Sequence, residues 1–198
     1  IPRTVTITGV DDPAADGDQT TTLSISVDAD NSDDVFDLVT RDVAVITTED
    51  DTAGFVVTQT DGTTIVAESG TSDSLSIVLT AKPLTPVSLT VTSLDTDEAV
   101  ATTSTVMFSS MDWDMPHIVQ IIGVDDDVDD GDITATIVIS VDAVSSNDAF
   151  DGVADQTVDI TVTDDDTNGI VITETMGSTS VDESGTSDTF AVTLAAQP

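Results

Sequence analysis

The sequence predicts an all-β protein built of antiparallel seven-stranded β-sandwiches repeated in tandem, and three observations lead there. Val, Ile and Thr dominate the uncharged residues, and their branched β-carbons suit a pleated, half-buried surface better than a helix. The 39 acids divide into 34 Asp and 5 Glu, so the acidic supply favours turns and caps over helix interiors. Whole motifs also recur at a spacing of 114 or 115 residues, the signature of a repeat architecture.

The repeat sets the domain organisation. Glu68-Ser69-Gly70-Thr71-Ser72-Asp73 returns as Glu183-Ser184-Gly185-Thr186-Ser187-Asp188, and Asp50-Asp51-Thr52 with Gly54 returns as Asp165-Asp166-Thr167 with Gly169. Gly9-Val10-Asp11-Asp12 returns as Gly123-Val124-Asp125-Asp126, and Ile25-Ser26-Val27-Asp28-Ala29 as Ile139-Ser140-Val141-Asp142-Ala143. Residues 54–168 are expected to form one complete repeat. Residues 1–53 are then the last part of a preceding copy and 169–198 the opening of a following one. The chain reads as an excerpt from a longer array.

Within the complete repeat, period-two alternation predicts each strand in turn. The first lies near 55–60. The second, near 73–80, alternates Leu75, Ile77 and Leu79 with Ser, Val and Thr. The third, near 87–93, carries Val87, Leu89 and Val91, and a short fourth near 104–109 carries Val106 and Phe108. The fifth spans about 117–123. The sixth, about 133–142, places Ile133, Ala135, Ile137, Ile139 and Val141 on one face, and the seventh, about 156–163, carries Val158, Ile160 and Val162. Seven strands joined by Asp, Gly, Ser and Thr loops fit an antiparallel sandwich.

Charge and composition exclude several functions. Lys and Arg number 3 and the net charge is -36, which rules against counterion displacement from nucleic acid and against docking on an anionic membrane. No apolar run approaches the ~20 residues of a membrane span, and no signal-peptide pattern opens the sequence. Without cysteine there is no disulfide, thiol nucleophile or Cys-ligated metal, and the single histidine, His117, makes no His cluster. No nucleophile–base pair or phosphate loop is present, so the chain is not expected to be an enzyme.

Parity places the acids. If seven strands alternate up and down, the first, third and fifth connections and the exit from the seventh strand share one end. Glu68 lies on the first of these and Asp95 with Asp97 on the second. Asp125, Asp126, Asp127, Asp129, Asp130 and Asp132 lie on the third, and Asp164, Asp165 and Asp166 at the exit. Carboxylates gathered so closely repel one another unless a cation sits among them. Oxygen donors without imidazole or thiolate select Ca²⁺ over transition metals, and Mg²⁺ demands a tighter octahedral shell. The competing reading is a solvated acidic coat of the kind that suits high salt, although such a coat has no reason to concentrate at one end. An EF-hand does not fit, because Val128 and Ile137 stand at positions that require a polar ligand and a Glu.

Val66-Ala67-Glu68-Ser69-Gly70, Asp95, Gly123-Val124-Asp125-Asp126-Asp127-Val128 and Asp164-Asp165-Asp166-Thr167-Asn168-Gly169-Ile170 together resemble the Calx-β domain, a calcium-binding, immunoglobulin-like β-sandwich. The resemblance implies that Glu68, Asp95, Asp125, Asp126, Asp130, Asp164, Asp165 and Asp166 supply carboxylates to two or more Ca²⁺ ions, and Val128 a backbone carbonyl. In the preceding copy Asp11, Asp12, Asp16, Glu49, Asp50 and Asp51 keep these places, with Pro13 and Ala15 replacing two of the run. Glu183 keeps the place of Glu68 in the following copy.

Other residues take structural readings. Trp113 with Pro116 is expected to plug the sandwich edge, His117 to open the fifth strand, and Phe36 and Phe150 to anchor the opposite end. The expected function is a calcium-stiffened extender in a large secreted or cell-surface adhesin or matrix protein, with neighbouring repeats as partners. Alternatives are a subunit of a self-assembling extracellular filament or sheath and a calcium-sensing module. Neither nucleic acid nor membrane insertion is expected.

Overall fold

The computed structural model describes residues 1–197. Its strands are β1 (Gln19–Ser26), β2 (Thr40–Thr47), β3 (Phe55–Gln59), β4 (Thr64–Ala67), β5 (Ser72–Leu79), β6 (Val87–Ser93) and β7 (Ala99–Ala101). They continue with β8 (Thr105–Phe108), β9 (His117–Gly123), β10 (Ile133–Val141), β11 (Gln156–Thr163), β12 (Ile170–Glu174) and β13 (Phe190–Leu194). Short 3₁₀ turns are the only helical elements among the described residues. No helix is long and apolar enough to cross a membrane, which says nothing of a β-barrel.

Strands β3 to β11 form two sheets, one ordered β4-β11-β10-β6-β8 and the other β3-β5-β9-β7. Alternation decides what lies between them. Leu75 and Ile77 of β5, Val119 and Ile121 of β9, Leu89 of β6, Ile137 and Ile139 of β10, and Ile160 of β11 are all buried. The residues between them point to the other face of their sheet, as the pleat requires. In register, Ile137 pairs with Val158 and Ile139 with Val91, so inward residues stand side by side across the sheet.

The sandwich has nine strands where alternation predicts seven. The two added strands, β4 and β7, are four and three residues long, too short to show a period. Each continues the preceding or following strand across to the other sheet. After β3 the chain turns through Thr60–Gly62, with Asp61 and Gly62 at positive φ, and β4 then runs parallel to β11. Likewise β7 pairs with β9 in one sheet and β8 with β6 in the other. Neither crossing reverses the chain, so the acidic loops still share one end.

The remaining strands form separate hairpins, β1 with β2 and β12 with β13. Leu23, Ile25 and Val43 are exposed there, although their counterparts Ile137, Ile139 and Val158 are buried in the central sandwich. Phe150 is fully buried, but Phe36 is half exposed and anchors nothing, because the second sheet it would pack under has no strands in residues 1–53. His117 opens β9 with its ring 4.2 Å from that of Phe108, and Trp113 packs against the core.

Candidate metal centre

Four segments meet at the acidic end, and backbone contacts hold them together. The parallel ladder of β4 on β11 extends one step, the Glu68 amide donating to Thr163 O at 3.1 Å, which sets Glu68 beside Asp164. The end of β9 closes on β4. A Cβ on Gly123 would lie 2.1 Å from Ala67 O, so only glycine permits this approach. The Gly123 amide also donates to Thr71 O at 3.2 Å, and the next amide, of Val124, to Glu98 O at 2.8 Å. Glycine at this one position thus brings the acidic loop that follows β9 against both Glu68 and the β6–β7 connection.

The carboxylates then divide into two kinds. Asp164 organises the loops: one of its oxygens accepts from the Gly131 amide and the other from the Asp166 amide, at 2.7 and 2.8 Å. Asp126 accepts from the Val128 amide at 2.7 Å and Asp129 from the Asn168 amide at 2.6 Å. Glu68, Asp126 and Asp166 converge, each offering one oxygen within 4.8 Å of the others. Glu68 is 1% exposed, and one buried oxygen on each of Glu68, Glu98 and Asp166 has no hydrogen-bond partner.

Electrostatics follow from that crowding. Burial, reinforced by Asp164, Asp126, Glu98 and Asp130, pushes the Glu68 carboxyl up to about 7. Burial also raises Glu98, with Asp130, Asp95, Asp126 and Asp97 adding to it. Asp166 is raised by burial and then by Asp127, Asp164, Asp165 and Asp125. No basic side chain answers them: the ion pair found among the described residues joins His117 to Asp112 at 3.5 Å, at the far end of β9. Unpartnered buried oxygens in an all-carboxylate set fit a hard cation, and Ca²⁺ accepts such an irregular oxygen shell more readily than Mg²⁺.

Each residue expected in the site has a definite place. Asp95 lies in the β6–β7 connection near Glu98, outside the convergent trio. Asp125, Asp130 and Asp165 are exposed at its rim. Val128 O accepts from the Asp130 amide at 3.0 Å, so one of its two lone pairs is engaged. Glu98 escaped the sequence reading; its signal was a third acid beside Asp95 and Asp97, just ahead of a strand too short to detect.

Residues 1–53 repeat the arrangement. Glu49 takes the place of Asp164, accepting from the amides of Asp16 and Gly17 on one oxygen and of Asp50 and Asp51 on the other. Those bonds lower its pKa. Asp12 accepts from the Ala14 amide at 2.9 Å, as Asp126 does from Val128. Asp11, Asp50 and Asp51 converge within 4.8 Å. Burial, then Glu49, Asp50, Asp11 and Asp12, raises Asp51. Glu183 is exposed at the start of the following copy.

No protein-family model and no curated protein matches the chain. Among solved structures, the apo-form Calx CBD1 domain is 18% identical and aligns over 57% of this chain and 98% of its own, with a TM-score of 0.41. The E. coli chaperone DraB is 11% identical over 59% of each chain, with a TM-score of 0.40. The S-layer protein rSbsC(31-844) is 15% identical over 90% of this chain, which spans 25% of that protein, with a TM-score of 0.43. At such identities these likenesses concern the course of the chain and not its ligands. What the molecule itself displays is an immunoglobulin-like β-sandwich carrying a carboxylate centre at one end.

Proposed function

We propose that the chain is part of a calcium-stiffened extender in a secreted or cell-surface protein, with Glu68, Asp126 and Asp166 at the centre of the site in the complete repeat. The observation that carries this reading is Glu68, buried with an unpartnered oxygen among like charges. Such a group is costly without a cation. Glu98, Asp130 and Asp164 would complete or support the oxygen shell. Asp166 also begins the linker to the next repeat, so an ion there ties the linker to loops of its own sandwich. The extracellular placing follows the sites of comparable modules, at ~10⁻⁴–10⁻³ M, which only an outside medium saturates. No catalytic role is assigned.

Thermal unfolding tests the reading. At free Ca²⁺ of a hundred times the dissociation constant, one site adds about 2.7 kcal/mol, so the midpoint should rise well above that in chelator, and much less with equal Mg²⁺. Equal midpoints in chelator and millimolar Ca²⁺ would leave only the solvated acidic coat. A second reading, self-association into a filament through the end hairpins, draws on the exposure of Phe190, Val192 and Leu194 in contrast to their buried counterparts Leu75, Ile77 and Leu79. Molecular mass that grows with concentration would support it.

A further inference from the structure

The chain carries three asparagines, Asn31, Asn147 and Asn168, and the fold treats them differently. The Asn31 side-chain amide donates to Asp28 Oδ2 at 2.8 Å. Asn147 is buried, its side-chain amide donating to Thr85 Oγ1 at 3.1 Å while its Oδ1 accepts from the Ala149 amide at 3.0 Å. Asn168 lies exposed in the linker between the central and following repeats, and its side chain makes no hydrogen bond among the described residues. It is also the one asparagine followed by glycine, Gly169.

The backbone at this step is anchored on both sides and open between. Asn168 N donates to Asp129 Oδ2 at 2.6 Å, and Gly169 O accepts from the Ala195 amide at 2.9 Å. The Gly169 amide itself has no acceptor among the described residues. Two Asp-Gly steps in the acidic loops differ on this point: the Gly17 amide donates to Glu49 at 2.8 Å and the Gly131 amide to Asp164 at 2.7 Å. A tied amide keeps its nitrogen from the preceding side chain, whereas a free glycine amide has neither a partner nor a Cβ to shield it. The matching linker of the preceding repeat reads Ala53-Gly54 and offers no carboxamide.

We propose that Asn168–Gly169 is a self-modifying site, at which the linker converts its own asparagine to aspartate and isoaspartate with water as the co-reactant. Gly169 N gives its proton to solvent base and attacks Asn168 Cγ. The N–Cγ bond forms, the Cγ–Nδ2 bond breaks, and Nδ2 leaves as ammonia after taking up a proton. Water then opens the cyclic imide. Cleavage of the new N–Cγ bond leaves aspartate, and cleavage of the bond from nitrogen to the main-chain carbonyl leaves isoaspartate; nothing is oxidised or reduced. Either product adds a carboxylate to the linker that already holds Asp165 and Asp166. Isoaspartate also inserts one main-chain atom between the anchored Asn168 N and Gly169 O, just ahead of β12. Such a covalent change alters charge and chain length together, and of the two linkers only this one can undergo it.

The test is prolonged incubation of the full chain in chelator at mildly alkaline pH, folded and in guanidinium. Peptide mapping by mass spectrometry follows each asparagine, and enzymatic methylation counts isoaspartate. Asn168 should be lost as fast in the folded chain as in the unfolded one, with isoaspartate among the products, while folded Asn31 and Asn147 persist. Gly169→Ala should nearly abolish the conversion without unfolding the chain, because a Cβ there meets Ala195 Cβ at 3.6 Å, an ordinary contact, and the backbone is not left-handed. Strong protection of Asn168 by folding overturns the proposal, as does loss of Asn31 or Asn147 ahead of it, or a Gly169→Ala chain that converts at the native rate. The calcium reading takes no part in these outcomes and stands or falls separately.

Discussion

Replacing Glu68 by Gln keeps the side chain's shape and removes its charge, which separates the cost of that carboxylate from its use. In the folded chain its proton leaves at about 7, against an ordinary 4.5, because of burial first and then Asp164, Asp126, Glu98 and Asp130. Between those values the folded state holds a proton that the unfolded state has released. In chelator the stability contribution of Glu68 is thus complete below the ordinary value, declines as pH rises, and is lost above the folded value. A shift of this size corresponds to about 3 kcal/mol in a dry site. Asp126 and Asp130 are exposed, and screening of their charges reduces the figure to about 1–2 kcal/mol. Scanning calorimetry in chelator at about pH 8 should therefore find Glu68→Gln more stable than the native chain by about 1–2 kcal/mol, a rise of about 5 °C. Near pH 4 the two should converge. Saturating Ca²⁺ should reverse the order, since the native site gains about 2.7 kcal/mol at a hundredfold excess over its dissociation constant and the variant has lost its buried ligand. A variant that melts below the native chain in chelator at about pH 8 would refute the reasoning, and an undiminished response to Ca²⁺ would remove Glu68 from the centre.

Three further outcomes follow from the same geometry. Gly123→Ala drives a methyl group into Ala67 O and should cost about 1–3 kcal/mol in chemical denaturation, with weaker Ca²⁺ binding because the acidic loop is pushed off Glu68. Ile137→Ala opens a cavity between the sheets and should cost about 2–5 kcal/mol, while calorimetric titration finds the Ca²⁺ dissociation constant unchanged. Asp165→Asn with Asp166→Asn should weaken Ca²⁺ binding by about tenfold or more, and small-angle scattering should no longer register lengthening of the chain on adding the ion.

Much of this molecule is legible in the sequence, for identifiable reasons. Strands of five or more residues buried on one face announce themselves by alternation, and Leu75-Ser76-Ile77-Val78-Leu79 or Ile137-Val138-Ile139 has no other reading. Their ends fell within about one residue of expectation, as 117–123 and 156–163 illustrate. Strand parity then placed the acids at one end, and it survived two undetected strands because β4 and β7 cross between sheets without reversing. Only the tertiary structure decided what happens among the loops. Ala99–Ala101 is a strand because Gly123 and Ile121 pair with it, not because alanine favours strands. Asp164 and Asp166 look alike in the sequence, yet one is occupied by the amides of Gly131 and Asp166 while the other keeps a buried oxygen free. That distinction, like the recruitment of Glu98, depends on distances between segments remote along the chain. Ladder register and the close approach at Gly123 set those distances, and a pattern of period two carries no record of them.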